Sequence, residues 1–301
     1  MDLFVDKGVK LRYHNSVIAL DSHGKADYYF VSHAHSDHSV KKRNIFCSDE
    51  TKAFLIHKFG SAVSFSNPPD NVSCYNSGHI LGSRMVKIND GYSLLYTGDF
   101  SLSKRLFMSP ATVTKADVLI METTFGHPEY EFPDQESELQ RFRDWVEDSL
   151  KHNNVLVLAY SLGKSQLASY ALKGLNVYLH PTVKVFNSIY CDFGVNVPNF
   201  PELDVENPPT ENFVYILPPH LMRSLGLGLK LKYDMKHAFL SGWAMHNPYN
   251  AEPFLVSDHA DFYDLLKFVD MVSPKKIYTV HGFASEFAAA LKNRGYDAQP
   301  L

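Results

Sequence analysis

The chain has 301 residues and a net charge of −4, and 45% of its residues are hydrophobic and 21% are charged. These values describe an ordinary globular protein with one large domain or two smaller ones. The negative charge argues against a protein that coats long stretches of nucleic-acid backbone, because that mode of binding depends on many lysine and arginine contacts.

The first hundred residues predict a β-rich half-domain, because short β-type segments alternate there with turn residues. The predicted strands are 10–13, 17–20, 27–31, 71–75, 84–88 and 93–97, and a short helix is predicted at 48–59. A further strand is predicted at 117–121, and the apolar stripe of 134–151 indicates a helix that faces the core.

The segment 155–241 changes in character and predicts a small α/β unit. Its predicted strands are 155–159, 177–179, 214–217 and 238–240, with helices between them. After it we expect a helix at 261–271, a strand at 276–280 and a final helix at 285–294. The predicted division is therefore one domain formed by 1–154 and 246–301, and an inserted domain at 155–245.

Three histidines and an aspartate stand within six positions in the segment 31–39, VSHAHSDHS. A predicted strand leads into this segment, so the imidazoles of His33 and His35 project in the same direction, and Asp37 and His38 follow in the turn. Neutral imidazole and carboxylate are the ligands that suit zinc and its divalent neighbours. The segment therefore predicts a metal site, and a histidine-rich polar loop is the alternative.

Other polar side chains stand where predicted strands end, which is where a rigid sheet positions catalytic loops. His79 lies between glycines 78 and 82, Asp99 ends the strand 93–97, and Glu122 ends the strand 117–121. His259 and His281 stand at similar places near the end of the chain. A capping or turn role is the alternative for a single aspartate at such a place.

Together these residues supply enough ligands for two metal ions. His33, His35 and His79 would hold one ion, whereas Asp37, His38 and His281 would hold the other, with Asp99 bridging them. Two ions about 3.5–4 Å apart lower the pKa of a shared water and clamp the oxygens of a phosphoryl displacement. The predicted catalytic residues are Asp37, His259 as the proton donor, Glu122 or Asp258 as its orienting partner, and Asp21 as an orienter of a ligand histidine.

The segment 160–166, YSLGKSQ, lies where a predicted strand gives way to a helix. Free backbone N–H groups at such a place suit a phosphate, and Ser161 and Lys164 are the predicted substrate-binding residues. An ordinary helix N-terminus with an exposed lysine is an equal alternative.

Six ordered motifs now suggest a family: HxHxDH at 33–38, GH at 78–79, TGD at 97–99, ETTFG at 122–126, SDHAD at 257–261 and VHG at 280–282. The chain resembles the β-CASP nucleases of the metallo-β-lactamase superfamily over its whole length. The resemblance implies an αββα sandwich with a small inserted α/β domain, and two zinc ions, with manganese as the alternative. It also implies that Asp21 matches the first family motif, and that Glu122, His259 and His281 match the three positions specific to the group.

Within the group, the chain is similar to the short prokaryotic proteins described as ligase-associated or 3′-end-processing exonuclease-like proteins. This resemblance implies a two-metal phosphodiesterase that acts as an exonuclease on single-stranded DNA or RNA, in DNA repair or RNA 3′-end processing. It also implies association with a DNA ligase or helicase. The alternatives are a β-CASP endoribonuclease, a small-molecule ester hydrolase of the same superfamily, and a scaffold subunit without activity. DNA versus RNA and the direction of digestion stay open at this point.

The three cysteines, at positions 47, 74 and 191, lie far apart without a CxxC pair. We expect them to be buried thiols in a reducing compartment rather than parts of a disulfide framework or a thiolate zinc site. The first seven residues lack the features of a signal peptide, and no apolar run has the length of a membrane span. We therefore expect a cytoplasmic protein with no membrane segment.

Overall fold

A computed structural model describes residues 1–204 and 206–301 of the chain. The chain forms two compact units. The first unit contains Met1–Lys104, Met108–Glu131 and His259–Leu301, and the second contains Arg105–Phe107 and Phe132–Asp258.

The elements are numbered here in chain order. The strands are β1 (Asp2–Val5), β2 (Val9–Tyr13), β3 (Ser16–Leu20), β4 (Tyr28–Phe30), β5 (Ile45–Phe46), β6 (Val72–Asn76), β7 (Arg84–Asp90), β8 (Tyr92–Tyr96), β9 (Val118–Glu122), β10 (Asn154–Ala159), β11 (Val177–Leu179), β12 (Val214–Leu217), β13 (Met235–Leu240), β14 (Glu252–Phe254), β15 (Lys276–Val280) and β16 (Ala298–Pro300). The α-helices are α1 (Asp49–Phe59), α2 (Gln135–Ser149), α3 (Lys164–Ala171), α4 (Pro181–Asp192), α5 (Leu227–Tyr233), α6 (Phe262–Val272) and α7 (Ala284–Asn293).

The first unit is built on two sheets that pack face to face. One sheet has the order β1-β2-β3-β4-β5, and the other has the order β16-β15-β9-β8-β7-β6. Buried apolar side chains of both sheets form one core, among them Ile18 and Phe30 from the first sheet and Val86, Leu94 and Ile120 from the second. The alternation of apolar side chains along each strand produces this shared inner face.

Helices cover the outer face of each sheet in the first unit. Leu55 of α1 packs with Tyr29 and other residues of the first sheet. Phe268 of α6 and Leu291 of α7 pack against the second sheet, where Leu119 contributes to the same core. The layers are therefore helix, sheet, sheet and helix, which confirms the predicted αββα sandwich.

The strand directions determine where the loops of the first unit meet. Strand β3 is parallel to β4 in the first sheet, and β8, β9 and β15 run parallel in the second. The carboxyl ends of neighbouring parallel strands lie at the same edge of a sheet. The loops after β3 and β4 therefore lie at one edge of the first sheet, and the loops after β8, β9 and β15 lie at one edge of the second.

The second unit is a parallel sheet with the order β11-β12-β10-β13-β14. Apolar residues of α2, α3 and α4 form the core on one face of this sheet, and residues of α5 pack on the other. This arrangement agrees with the predicted α/β insertion. The unit also includes α2, which packs against β10. The division of the chain at 1–154, 155–245 and 246–301 stays a prediction.

Most predicted elements are present within one to four residues of their expected ends. The prediction for the cysteines was wrong in part, because Cys74 and Cys191 are exposed. Within the described residues, no helix combines the length and the apolar character needed to cross a membrane.

Candidate metal centre

The predicted ligands come together at the carboxyl ends of the parallel strands of the first unit. Asp21 follows β3, the histidine-rich segment follows β4, Asp99 follows β8, Glu122 ends β9 and His281 follows β15. At the loop that carries Asp99, Gly98 has a φ of +52°, and a Cβ there would lie 2.4 Å from Cβ of Ser32. Glycine therefore allows the two sheets to bring their loops into contact.

Three imidazoles and one carboxylate form the centre of this site. Nδ1 of His35 lies 3.0 Å from Nε2 of His33 and 3.0 Å from Nε2 of His79. The ligating atoms of these residues and of Asp99 all lie within 4.8 Å of one another. Neighbouring donors on a tetrahedral zinc ion lie about 3.3 Å apart, since each is about 2.0–2.1 Å from the ion. The donor set therefore fits a divalent metal ion in both chemistry and spacing.

The two oxygens of Asp99 face two different groups of histidines. Oδ2 lies 3.4 Å from Nε2 of His33 and 3.6 Å from Nε2 of His79. Oδ1 lies 3.4 Å from Nε2 of His38. A carboxylate in this position can donate one oxygen to each of two ions, which is the geometry of a bridging ligand.

The residues predicted to surround the second ion lie on the His38 side. Nε2 of His38 is 3.7 Å from Oδ2 of Asp37, whose side chain is 78% exposed. The ring of His281 lies 5.2 Å from the ring of His38, and His281 is exposed. This half of the centre is therefore more open to solvent than the His33 half, where the histidine side chain is fully buried.

Asp21 orients two of the histidines. One of its oxygens accepts the Nδ1–H of His38 at 2.8 Å, and the same oxygen accepts the hydroxyl proton of Ser32 at 2.5 Å. The Ser32 hydroxyl, having donated its proton, accepts the Nδ1–H of His33 at 2.9 Å. Both imidazoles thereby use Nδ1 in these hydrogen bonds, which leaves Nε2, the atom that faces Asp99, as the nitrogen for a metal ion.

Burial and neighbouring charges shift the pKa of three residues at the centre. Burial lowers the pKa of His33 well below its usual value, and the nearby histidines lower it further, so this imidazole is neutral. Burial also raises the pKa of Asp99 to about 6, although His38 and His259 oppose this effect. At His38, burial is outweighed by the carboxylates of Asp99 and Asp21, which raise the pKa to about 10. Metal binding at His38 would therefore release a proton.

His259 is held at the centre by Glu122. The Nδ1–H of His259 donates to Oε1 of Glu122 at 2.9 Å, and Nε2 lies 4.0 Å from Oδ2 of Asp99. Glu122 is fully buried and also accepts backbone N–H groups of Phe100 at 3.1 Å and Thr124 at 3.0 Å. Burial would raise the pKa of Glu122, but His259 and these donors lower it overall, so the carboxylate stays ionised.

The comparisons with known proteins agree with this geometry. A family model described as Zn-dependent metallo-hydrolase RNA specificity domain matches residues 249–299. The "Probable DNA ligase" of Opitutus terrae is 36% identical over 300 residues, which cover 93% of this chain and 29% of that protein. The "DNA cross-link repair 1A protein" of Homo sapiens is 23% identical over 289 residues, which cover 83% of this chain and 27% of that protein. The "RNase J-like protein" of Methanocaldococcus jannaschii is 25% identical over 175 residues, or 46% of this chain and 42% of that protein.

The chain belongs to the β-CASP group of the metallo-β-lactamase superfamily. The family predicted from the six motifs is thus confirmed. The chain spans between about a quarter and less than half of the length of these curated relatives. A metal site of histidine and aspartate fits both the zinc-dependent family and the cluster that the structure shows.

In this β-CASP protein, the two predicted substrate-binding residues lie in the second unit. Lys164 is 6% exposed, and its ammonium forms an ion pair with Oδ1 of Asp258. The alternative of an exposed lysine is therefore wrong. Ser161 is partly exposed, and its carbonyl accepts a hydrogen bond from Gln166 at 3.0 Å. Phosphate contact by Ser161 and Lys164 stays a prediction, and Asp258 would compete for the ammonium.

Sequence reasoning missed three residues that support the centre. Ser32 links Asp21 to His33, and the hydroxyl of Tyr96 donates to Asp21 at 3.0 Å. Lys58 of α1 donates to the backbone carbonyl of Ala34, between two of the clustered histidines. The position of Ser32 beside the cluster was a usable signal. Nothing local marked Tyr96 or Lys58, because their contacts cross 75 and 24 positions of the chain.

Proposed function

We propose that the protein is a metal-dependent phosphodiesterase that trims single-stranded DNA from its ends. The observation that carries this proposal is the position of Asp99, whose two carboxylate oxygens face two groups of histidines. Nε2 of His259 lies 4.0 Å from Oδ2 of the same carboxylate. Such an arrangement suits hydrolysis of a phosphodiester, which needs stabilised charge on the phosphate and a proton for the leaving oxygen.

The metals that we propose are two zinc ions, with manganese as the alternative. His33, His35 and His79 would hold the first ion, Asp37, His38 and His281 the second, and Asp99 both. Bound there, a pair of divalent ions would supply a nucleophile at neutral pH and neutralise charge on the phosphate oxygens.

The side chains around this centre would donate the proton that the leaving oxygen needs and orient the ligand histidines. Glu122 holds the Nδ1–H of His259 and stabilises the charged imidazolium, so that Nε2 carries a proton toward the centre. This proton would pass to the oxygen of the departing nucleotide. Asp21 and Ser32 hold Nδ1 of His38 and His33, and so direct Nε2 of both rings toward the place where a metal ion would bind.

The names of the relatives support DNA ends as the substrate. The relative that matches 93% of this chain is named a probable DNA ligase, and another is named a DNA cross-link repair protein. We propose that this chain prepares strand ends for joining and acts together with a DNA ligase. The association with a helicase remains a prediction from the family resemblance. RNA is the alternative substrate, because other relatives are named as ribonucleases.

The proposal is tested with purified protein and four substrates: DNA and RNA strands, each labelled at the 5′ or the 3′ end. Each substrate is incubated with zinc, manganese or magnesium. We expect a ladder of shortened DNA strands with zinc or manganese, and the label that is lost first gives the direction. Products cut internally would overturn the exonuclease proposal in favour of an endonuclease. Turnover of small esters without strand cleavage would overturn the proposed phosphodiesterase.

A further inference from the structure

Two aromatic rings lie against each other in a tilted arrangement, on the loops that follow Glu122 and His281. The centroids of the His127 and Phe283 rings lie 5.4 Å apart, and the ring planes are inclined by 37°. The side chain of His127 is 42% exposed and Phe283 is partly exposed. Both rings lie in the first unit.

A chain of ring contacts connects this pair to the proposed proton donor. The ring of Phe283 lies 5.4 Å from the ring of Tyr130, which lies 5.0 Å from the ring of Phe125. Phe125 in turn meets the ring of His259 edge to face at 5.6 Å. Tyr130 and Phe125 are buried, so the two inner rings form a rigid support. His127 and Phe283 are the members of this series that reach the surface.

The backbone fixes Phe283 close to the candidate metal centre. Only Gly282 separates it from His281, so the two Cα atoms are at most about 7 Å apart. Gly282 has a φ of +51°, and a Cβ there would lie 2.5 Å from the carbonyl oxygen of Thr123. The same carbonyl accepts the N–H of Phe283 at 2.9 Å. The turn therefore fixes the backbone position from which the Phe283 side chain projects.

An aromatic ring at this place is not explained by the core alone. A side chain that only fills the core is buried on all sides, as Tyr130 is, whereas the His127 ring is close to half exposed. Its Nδ1 is buried and lies 3.3 Å from Oε1 of Glu129 without a hydrogen bond. Oriented aromatic rings at the edge of an active site are the usual stacking partners of unpaired bases.

We propose that His127 and Phe283 form a stacking subsite for a nucleobase of the single strand. This inference rests on the proposed function and adds how the substrate is held. A stacked strand advances about 3.4 Å per nucleotide, so the subsite takes a base one or two nucleotides from the phosphate at His281. Stacking is tolerant of sequence, since every base has a π-face, and the subsite selects unpaired bases rather than a particular base.

The test compares strands that carry a normal base or an abasic tetrahydrofuran unit at each of the first three positions from the digested end. KM is measured by cleavage, and Kd is measured by fluorescence anisotropy with phosphorothioate strands that resist cleavage. For the wild-type protein, we expect KM and Kd to rise about 5- to 100-fold when the abasic unit occupies the subsite position.

Two variants remove the stacking surface. F283A and H127A should each weaken binding of the normal strand, and should lose most of the difference between normal and abasic strands. F283Y keeps a ring and should behave as the wild type. Y92A is the matched control, because Tyr92 is an exposed aromatic residue at the start of β8, at the opposite end of that strand from Asp99. H127A also serves if F283A folds poorly, since His127 is close to half exposed.

Equal binding of normal and abasic strands by the wild type would overturn the subsite. So would variants that weaken both strands by the same factor, because the loss would then be independent of the base. The Kd measurement needs no cleavage. An inactive wild-type protein that still distinguishes the strands would contradict the proposed hydrolysis while supporting the subsite.

Discussion

The Nδ1–H of His259 donates to Oε1 of Glu122 at 2.9 Å, and Glu122 is fully buried. We expect H259A to lower kcat by about 10²- to 10⁴-fold, because general acid catalysis contributes a factor of this size. Metal content, measured by elemental analysis, should stay at the wild-type value. H57A is the control, since His57 is an exposed histidine of α1. Turnover by H259A at the wild-type rate would remove its role as the proton donor.

A second prediction concerns Asp21, which holds His38 directly and His33 through Ser32. D21N should lower metal affinity by about 10- to 100-fold, as expected when a carboxylate that orients a ligand is lost. Asp21 has a φ of +46°, a conformation that asparagine tolerates, so the backbone should not change. Chelator competition measures the affinity, with D70N at an exposed aspartate as the control. Equal affinities in D21N and the wild type would contradict the assignment.

Removal of the metal should abolish cleavage and also lower stability. Dialysis against a chelator is expected to yield an inactive protein that regains activity with zinc or manganese. A ligand that binds only the folded state raises the free energy of unfolding by about 2.7 kcal/mol at 100 times its Kd. Two ions should be bound per chain at saturation, measured by titration calorimetry. Saturation at a single ion would contradict the bridging position proposed for Asp99.

Lys58 should make the stability of the protein depend on pH. Burial lowers the pKa of this side chain to about 8 from an ordinary value of 10.5. Between these two values the unfolded chain binds the proton and the folded chain does not, so stability rises with pH in this window. Below pH 8 both states are protonated, and burial of the charge is a constant cost. The K58M variant has no ionisable group at position 58, so this residue adds no pH dependence to its stability. The free energy of unfolding of the wild type should therefore increase relative to K58M from pH 8 to 10.5, by at most about 3 kcal/mol.

The comparison for Lys58 is made by chemical denaturation at several pH values within that window. K292M at an exposed lysine should show no such change relative to the wild type. A constant difference between the wild type and K58M over the whole window would show that Lys58 does not titrate there.

The ion pair of Lys164 with Asp258 lies inside the second unit, with side chains that are 7% and 1% exposed. K164M should lower the free energy of unfolding by about 3–5 kcal/mol, because the buried carboxylate is left without its partner. The double variant K164M/D258N should be more stable than K164M, since it removes that charge. Denaturant unfolding measures both. If K164M instead keeps full stability and raises KM for the strand, Lys164 acts on phosphate as first predicted.

The sequence by itself determined the fold class and the chemical identity of the centre. Alternation of apolar residues is a local property of a strand, and so is the place where the strand ends. For this reason His33, His35, His79, Asp99 and His281 could be selected before any contact was known. The αββα sandwich came from the family motifs, and the packing of the two sheets confirms it.

Only the tertiary structure decided how the centre is held together. The sequence left Glu122 and Asp258 as alternative partners for His259, whereas the structure pairs Glu122 with His259 and Asp258 with Lys164. It also gave Lys58 a role that no local pattern indicated. These contacts join residues distant in the chain, and their geometry depends on how sheets and helices pack. Packing is a property of many side chains together, so it cannot be read from the spacing of a few.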